Sequence, residues 1–189
     1  MSLDLPGFTD PVLGAQAAFR AVLDAMSRPG RRIEIGTDLT PPNPLCPASA
    51  AVLLALVDHD TTLHLSGTQD AADWLAFHTG APPAPQESAN FIMALTLPDL
   101  ATLAQGTDDA PELSATIILQ VASLHTGQDF VLSGPGIETV QDLTVDGLPK
   151  TFAALWAQNH AAYPRGIDLI LCHGTTLAAL PRSVVIKER

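Results

Sequence analysis

The run ATIILQVASL, residues 115–124, followed by HTGQDFVLSGPGI, residues 125–137, carries the fold. Ile117, Ile118, Leu119, Val121 and Leu124 form a nearly unbroken apolar run, the mark of a strand buried on both faces. Gly127 interrupts it, and Phe130, Val131 and Leu132 form a second short run. The two read as neighbouring strands at a sheet centre, joined by His125, Thr126, Gly127 and Gln128. The second strand leaves through Ser133, Gly134, Pro135, Gly136 and Ile137. There two glycines permit backbone geometry that a side chain would forbid, and proline fixes one φ between them.

Around this centre the chain alternates helices and strands. Asp10 before Pro11 is a helix start, and the helix runs to Ser27 with Ala15, Phe19, Val22 and Met26 as its apolar stripe. Arg20 and Asp24 are spaced for an ion pair on another face, and Arg28, Pro29 and Gly30 stop the helix. Ile33 and Ile35 alternate with charged residues as a strand; residues 40–47 hold four prolines and read as a loop. Residues 48–57 are apolar almost all round, a helix covered on every side. A strand over 61–66 and a helix capped by Thr68 and ended by Gly80 follow, the latter with Ala71, Trp74, Leu75 and His78 on one face. Pro82, Pro83 and Pro85 give residues 81–88 the look of a linker, although too few strands precede it to close a core alone. Further elements are a strand over 91–95, a short helix over 98–104, an acidic loop through Asp108, Asp109 and Glu112, and a strand over 140–147. They continue with a helix over 149–162 carrying Phe152, Leu155, Trp156 and Asn159, a strand over 167–171, a helical turn over 177–180 and a last strand over 183–186. The expected class is α/β, with a mostly parallel or mixed sheet in one domain over 1–189.

The chain has 189 residues, enough to bury about 70% of its unfolded surface. Hydrophobic residues are 47% and charged residues 15%, which excludes disorder and hints at surface buried in an assembly. A formal charge of −11 opposes autonomous binding to nucleic acid or an anionic membrane. No apolar run suits a membrane span, and Asp4 and Asp10 stand where a signal peptide would be basic, so a cytoplasmic location is expected. Cys46 and Cys172 lack any CxxC context and read as reduced thiols.

Isolated motifs carry little chemistry. Asp58, His59, Asp60 and His64 could ligate a metal, but they fit a helix-to-strand turn better. Cys172 and His173 are adjacent on a strand and therefore point apart. The Ser133, Gly134, Gly136 turn invites an anion, yet Pro135 removes a donor, Thr139 replaces the third glycine of a dinucleotide fingerprint and no P-loop lysine follows. Arg28, Arg165 and Arg182 all adjoin prolines in turns, where they could clamp an anionic ligand or a partner's carboxylates. Lys150 and Lys187 are the only lysines, neither in a context that suits Schiff-base chemistry.

Several stretches in order resemble the PhnH family of the bacterial carbon-phosphorus lyase system. They are Phe19, Arg20 to Ala25, Met26 to Gly30, then Leu53 to Asp58 with Asp60 and Thr61, Ala115 to Leu124, Leu132 to Ile137, Pro164 to Leu171 and Ala179 to Arg182. The resemblance implies a three-layer α/β fold with a mixed sheet, similar to the large domain of pyridoxal-phosphate (PLP)-dependent transferases but without PLP. It also implies a cytoplasmic homodimer that joins PhnG, PhnI and PhnJ subunits in a core complex for alkylphosphonate breakdown. There it would be an accessory subunit of a ribose 1-methylphosphonate 5-triphosphate synthase (transferase) assembly that acts on ATP and phosphonate ahead of the lyase step. The resemblance supplies no catalytic residue, no metal and no cofactor for this subunit. Its competitor is a stand-alone nucleotide- or phosphonate-binding enzyme using the Gly134–Gly136 turn and Arg165. A PLP enzyme using Lys150 is a third reading.

Overall fold

The computed structural model describes residues 5–189; Asp4 lies outside them. Its frame is a six-stranded sheet whose middle is β4, Thr116–Gln120. On one side β4 pairs in parallel with β3, Phe91–Ala94, which pairs in parallel with the edge strand β2, Leu63–Leu65. On the other it pairs in parallel with β7, Asp168–His173. Antiparallel β8, Thr176–Leu180, and then β1, Ile33–Glu34, complete that side. The sheet is mixed, as expected.

Alternation along β4 builds two cores at once. Ile118 points to the side covered by three helices: α1, Pro11–Ser27; α2, Pro47–Leu56; and α3, Gln69–Thr79. Ile117 and Leu119 point to the opposite side. There a three-stranded antiparallel sheet and α4, Phe152–Ala161, cover them. That second sheet has β5, Ser123–Ser133, between β6, Gln141–Asp146, and β9, Val185–Glu188. Complete burial of each of these β4 side chains contributes about 1.5–3 kcal/mol. Trp74 and Trp156 are both fully buried, one in each core.

Several expectations are corrected. The two apolar runs of 115–137 do not pair with each other. Val121 N–H makes a last bond to Cys172 O in the main sheet at 3.0 Å, and Ala122 N–H then bonds Asp146 O at 2.9 Å in the second sheet. Because Leu124 is buried after the crossing just as Leu119 is before it, the apolar run hides the change of sheet. Residues 177–180 are not a helical turn but most of β8. Leu177 and Ala179 face the helical layer while Ala178 and Leu180 face the other, so burial on both faces overrides the helical preference of Leu and Ala. The helix expected over 98–104 is only a 3-10 turn, Leu100–Thr102, capped by Asp99. The proline-rich 81–88 is no linker: Leu63 N–H bonds Pro82 O and Ala84 N–H bonds Leu63 O, both at 3.0 Å, shielding part of the β2 edge.

In α1 the Asp10 carboxylate accepts from Val12 and Leu13 N–H at 3.0 Å, the cap the sequence signals. The inward residues, however, are Ala18, Val22 and Ala25, whereas Phe19 is 45% exposed. Asp24 pairs with Arg28 and Arg31 rather than with Arg20.

Candidate functional site

Four turns that the sequence marks by proline meet at one end of the molecule. The Arg28–Gly30 stop of α1 lies against the Gly134–Gly136 turn that leaves β5. A Cβ on Gly136 would run into the carbonyl oxygen of Ser27 and approach Pro29 Cδ at 3.0 Å, and its φ of +82° already favours glycine. Close contact with the end of α1, not with a ligand, therefore accounts for that glycine. Ile137 N–H bonds back to Gly134 O at 3.1 Å and closes the turn, while Ser133 is held in register with Val185 of β9.

The turn is a ridge between two shallow cavities. One, of about 280 Å³, has Arg28, Pro29, Arg31, Gly136, Glu138 and Val140 in its wall. The other, of about 400 Å³, has Pro111, Glu112, Pro135, Tyr163, Pro164 and Arg182. Arg165 lines neither; its guanidinium pairs with Asp108 at 3.2 Å. The structure thus gathers Arg28, Ser133, Gly134, Gly136 and Arg182 around one ridge and leaves Arg165 on its flank.

Arg182 is the fastener of this face. Its Nε and Nη2 donate to the two oxygens of Asp168 at 3.1 and 2.6 Å. Its Nη1 donates to the carbonyls of Pro111 at 2.8 Å and Pro164 at 3.3 Å, and its backbone N–H donates to Asp168 at 2.8 Å. Both side chains are nearly buried, so the guanidinium is spent on tying β7, the Pro111 turn and the Pro164 turn together. Nearby, Asn159 holds the entry to β7 with Nδ2 on Ile167 O at 2.9 Å and Oδ1 on Ile167 N–H at 2.7 Å. Arg28 and Arg31 are more than half exposed but share the Asp24 carboxylate. The exposed cations of this face are each matched to an acid, and Glu112 and Glu138 add negative charge to the walls. It can offer a preformed, rigid surface of prolines, Tyr163 and paired charges; the arrangement does not aim converging donors at one anion.

Other candidates have structural duties. Asp58 caps its turn, accepting from Asp60 N–H at 3.0 Å and Thr61 Oγ1 at 3.2 Å, and no cluster of three metal-ligating side chains occurs among the described residues. His173 is exposed with Nδ1 3.2 Å from Val121 O, while Cys172 points into the core and burial pushes its thiol up, with Cys46 adding to the effect. Lys150 and Lys187 are both exposed. The largest cavity, about 450 Å³, lies between the β2 edge and α3, with Leu65, Ala72, Asp73 and Ala76 in its wall. No helix among the described residues is long and apolar enough to cross a membrane.

Sequence reasoning missed two features. Arg31 joins Arg28 on Asp24, for which the only signal is basic residues clustered past the helix end. Gln120 carries a polar knot at the C-terminal end of β4: its Oε1 accepts from Cys46 N–H and Ser49 Oγ–H at 2.6 Å each, and its Nε2 donates to Pro44 O at 2.8 Å. A lone glutamine closing the apolar β4 run is the trace of it.

Comparison with known proteins agrees with this geometry along the whole chain. Residues 6–187 match the family model described as bacterial phosphonate metabolism protein (PhnH). The chain is 39% identical over 188 residues to the alpha-D-ribose 1-methylphosphonate 5-triphosphate synthase subunit PhnH of Rhizobium meliloti (strain 1021), covering 96% of this chain and 94% of that protein. It is 32% identical over 176 residues to HtxG of Stutzerimonas stutzeri, described as a C-P lyase subunit protein, covering 90% of this chain and 85% of that one. On these matches, which span the buried strands and all four proline turns, the chain belongs to the PhnH family of bacterial phosphonate metabolism.

Proposed function

We infer that this chain is an accessory subunit of an assembly that makes a ribose 1-phosphonate 5-triphosphate during alkylphosphonate breakdown. The observation that carries the reading is the full-length likeness to a named synthase subunit, 39% identical over 96% of the chain. In this reading the subunit is non-catalytic and cytoplasmic, forms a homodimer, and works with sister subunits of the PhnG, PhnI and PhnJ type. The proline-turn face supports it: its cations are matched to acids, its turn glycine is occupied by the chain's own helix end, and its fastener is nearly buried. A face built this way suits contact with protein better than turnover of a small anion.

The helical layer, mixed central sheet and second sheet are in keeping with a three-layer relative of the large domain of PLP-dependent transferases. The same proposal excludes the cofactor, since both lysines are exposed and neither offers a desolvated amine. Absorbance titration with PLP tests this, and a Schiff-base band lost in Lys150→Ala would reverse it.

Native mass spectrometry of the tagged chain, alone and after co-expression with PhnG-, PhnI- and PhnJ-type partners, tests the subunit reading. A discrete heteromeric mass containing this chain is expected; unchanged mass in both preparations refutes it. The competing reading draws on the Arg28, Arg31 and Gly136 cavity, and calorimetric heat from ATP or methylphosphonate on the isolated chain would favour it.

A further inference from the structure

The apolar arc of α1 is wider than the surface its own chain covers. Ala18, Val22 and Ala25 are buried, yet Val12 is 76% exposed, Phe19 45% and Leu23 52%, and Leu13 is exposed beside them. At about 100° per residue, Val12, Gln16, Phe19 and Leu23 fall within about 60° of one another, centred about 120° from the buried residues. Small side chains thus face inward and large ones outward, the reverse of what a solvent-facing helix shows. Among the described residues no other element exposes so many large apolar side chains.

The spacing of that stripe says what covers it. From 12 to 16 to 19 to 23 the steps are four, three and four, a sequence that reads the same backward. An isologous contact between two copies requires such self-complementarity, because residue i meets j while j meets i. With the two helices antiparallel and the two-fold axis between residues 17 and 18, Val12 lies level with Leu23 of the other copy and Gln16 with Phe19. Charge permits this register. Arg20, on the flank of the stripe, falls level with Ala15 of the other copy and not with a second arginine, and Asp24 is already held by Arg28 and Arg31. We propose that the outward stripe of α1, Val12, Gln16, Phe19 and Leu23, is the dimer interface of this protein, packing antiparallel on the same stripe of a second copy.

The inference rests on the homodimer reading above and assigns its surface. A helix of 17 residues spans about 25 Å, which places the contact at the small end of stable interfaces and makes the dimer concentration-dependent. Sedimentation velocity of the full chain from about 1 to 100 µM is the test, a range that brackets a micromolar dissociation constant. A reversible dimer is expected, with Phe19→Glu or Leu23→Glu weakening it by about 30-fold or more. Thermal melts of both variants stay unchanged, because neither side chain belongs to the chain's own core. In a Cys46→Ala background, Val12→Cys with Leu23→Cys gives a covalent dimer on oxidation that dithiothreitol reverses. A wild-type monomer throughout the range overturns the inference together with the homodimer reading. A wild-type dimer indifferent to both substitutions overturns the inference alone, as does a stripe variant that keeps its dimer and loses a sister subunit instead.

Discussion

Replacing Arg182 with alanine removes every contact that its guanidinium makes and leaves the Asp168 carboxylate behind. Side-chain exposure is 13% for the arginine and 16% for the aspartate, so water reaches the stranded charge poorly. Breaking a buried pair in this way costs about 3–5 kcal/mol, since the remaining ion keeps its desolvation penalty without its partner. Carbonyls of Pro111 and Pro164 lose their donor in the same step. For a chain of this length about 2–4 °C of melting temperature follows each kcal/mol, so the variant is expected to melt about 10 °C lower. Arg182→Lys retains a charge but not the two-pronged geometry and is expected to recover less than half of the loss. The assay is urea denaturation monitored by circular dichroism, run as a double-mutant cycle with Asp168→Asn. An Arg182→Ala loss below about 1 kcal/mol, the range of a surface pair, refutes the account of this residue as the fastener of the proline-turn face. A coupling energy near zero would refute it equally.

Other consequences are smaller in scope. Gly136→Ala meets the Ser27 carbonyl and a left-handed φ together and is expected to destabilise by about 2–3 kcal/mol, against about 1 kcal/mol for Gly174→Ala, whose Cβ has nothing within 4 Å; denaturation midpoints of the pair decide. Gln120→Leu strips the Cys46 N–H and Ser49 hydroxyl of their acceptor and should cost about 2–3 kcal/mol, whereas a loss near zero would mean that the knot relaxes freely. Burial holds the Cys172 thiol well above its ordinary value of 9.0. Its raised folded-state value makes the contribution complete below pH 9; above that the unfolded thiol ionises while the folded one does not, so stability falls as pH rises. Cys172→Ala should flatten that fall, and alkylation at mildly alkaline pH should modify Cys46 well before Cys172.

Much of the fold is legible locally, because the signals concerned act over a few residues. Asp10 before Pro11, Thr68 before α3 and Gly80 after it bound helices through backbone hydrogen bonds that those residues alone can make or permit. The unbroken apolar runs of β4 and β7 mark strands covered on both faces, and that holds whatever covers them. Identity was also within reach, since PhnH-like stretches recur in order along the chain and the family match spans residues 6–187.

Tertiary structure decided the partners. Nothing local distinguishes Leu124, buried under a second sheet, from Leu119 in the first, because hydrophobicity reports burial and not against what. β8 takes its form from its hairpin with β7, against the preference of Leu and Ala. The expected stripe of α1 held Phe19 because periodicity finds the centre of an apolar arc, whereas neighbouring elements choose which part of that arc is covered. Arg28, Arg165 and Arg182 look alike as arginines beside prolines, yet one shares Asp24, one rests on exposed Asp108 and one is fixed by Asp168. Residue type and spacing set which elements form and which groups need partners; which partner each group finds depends on long-range contacts that no window of sequence contains.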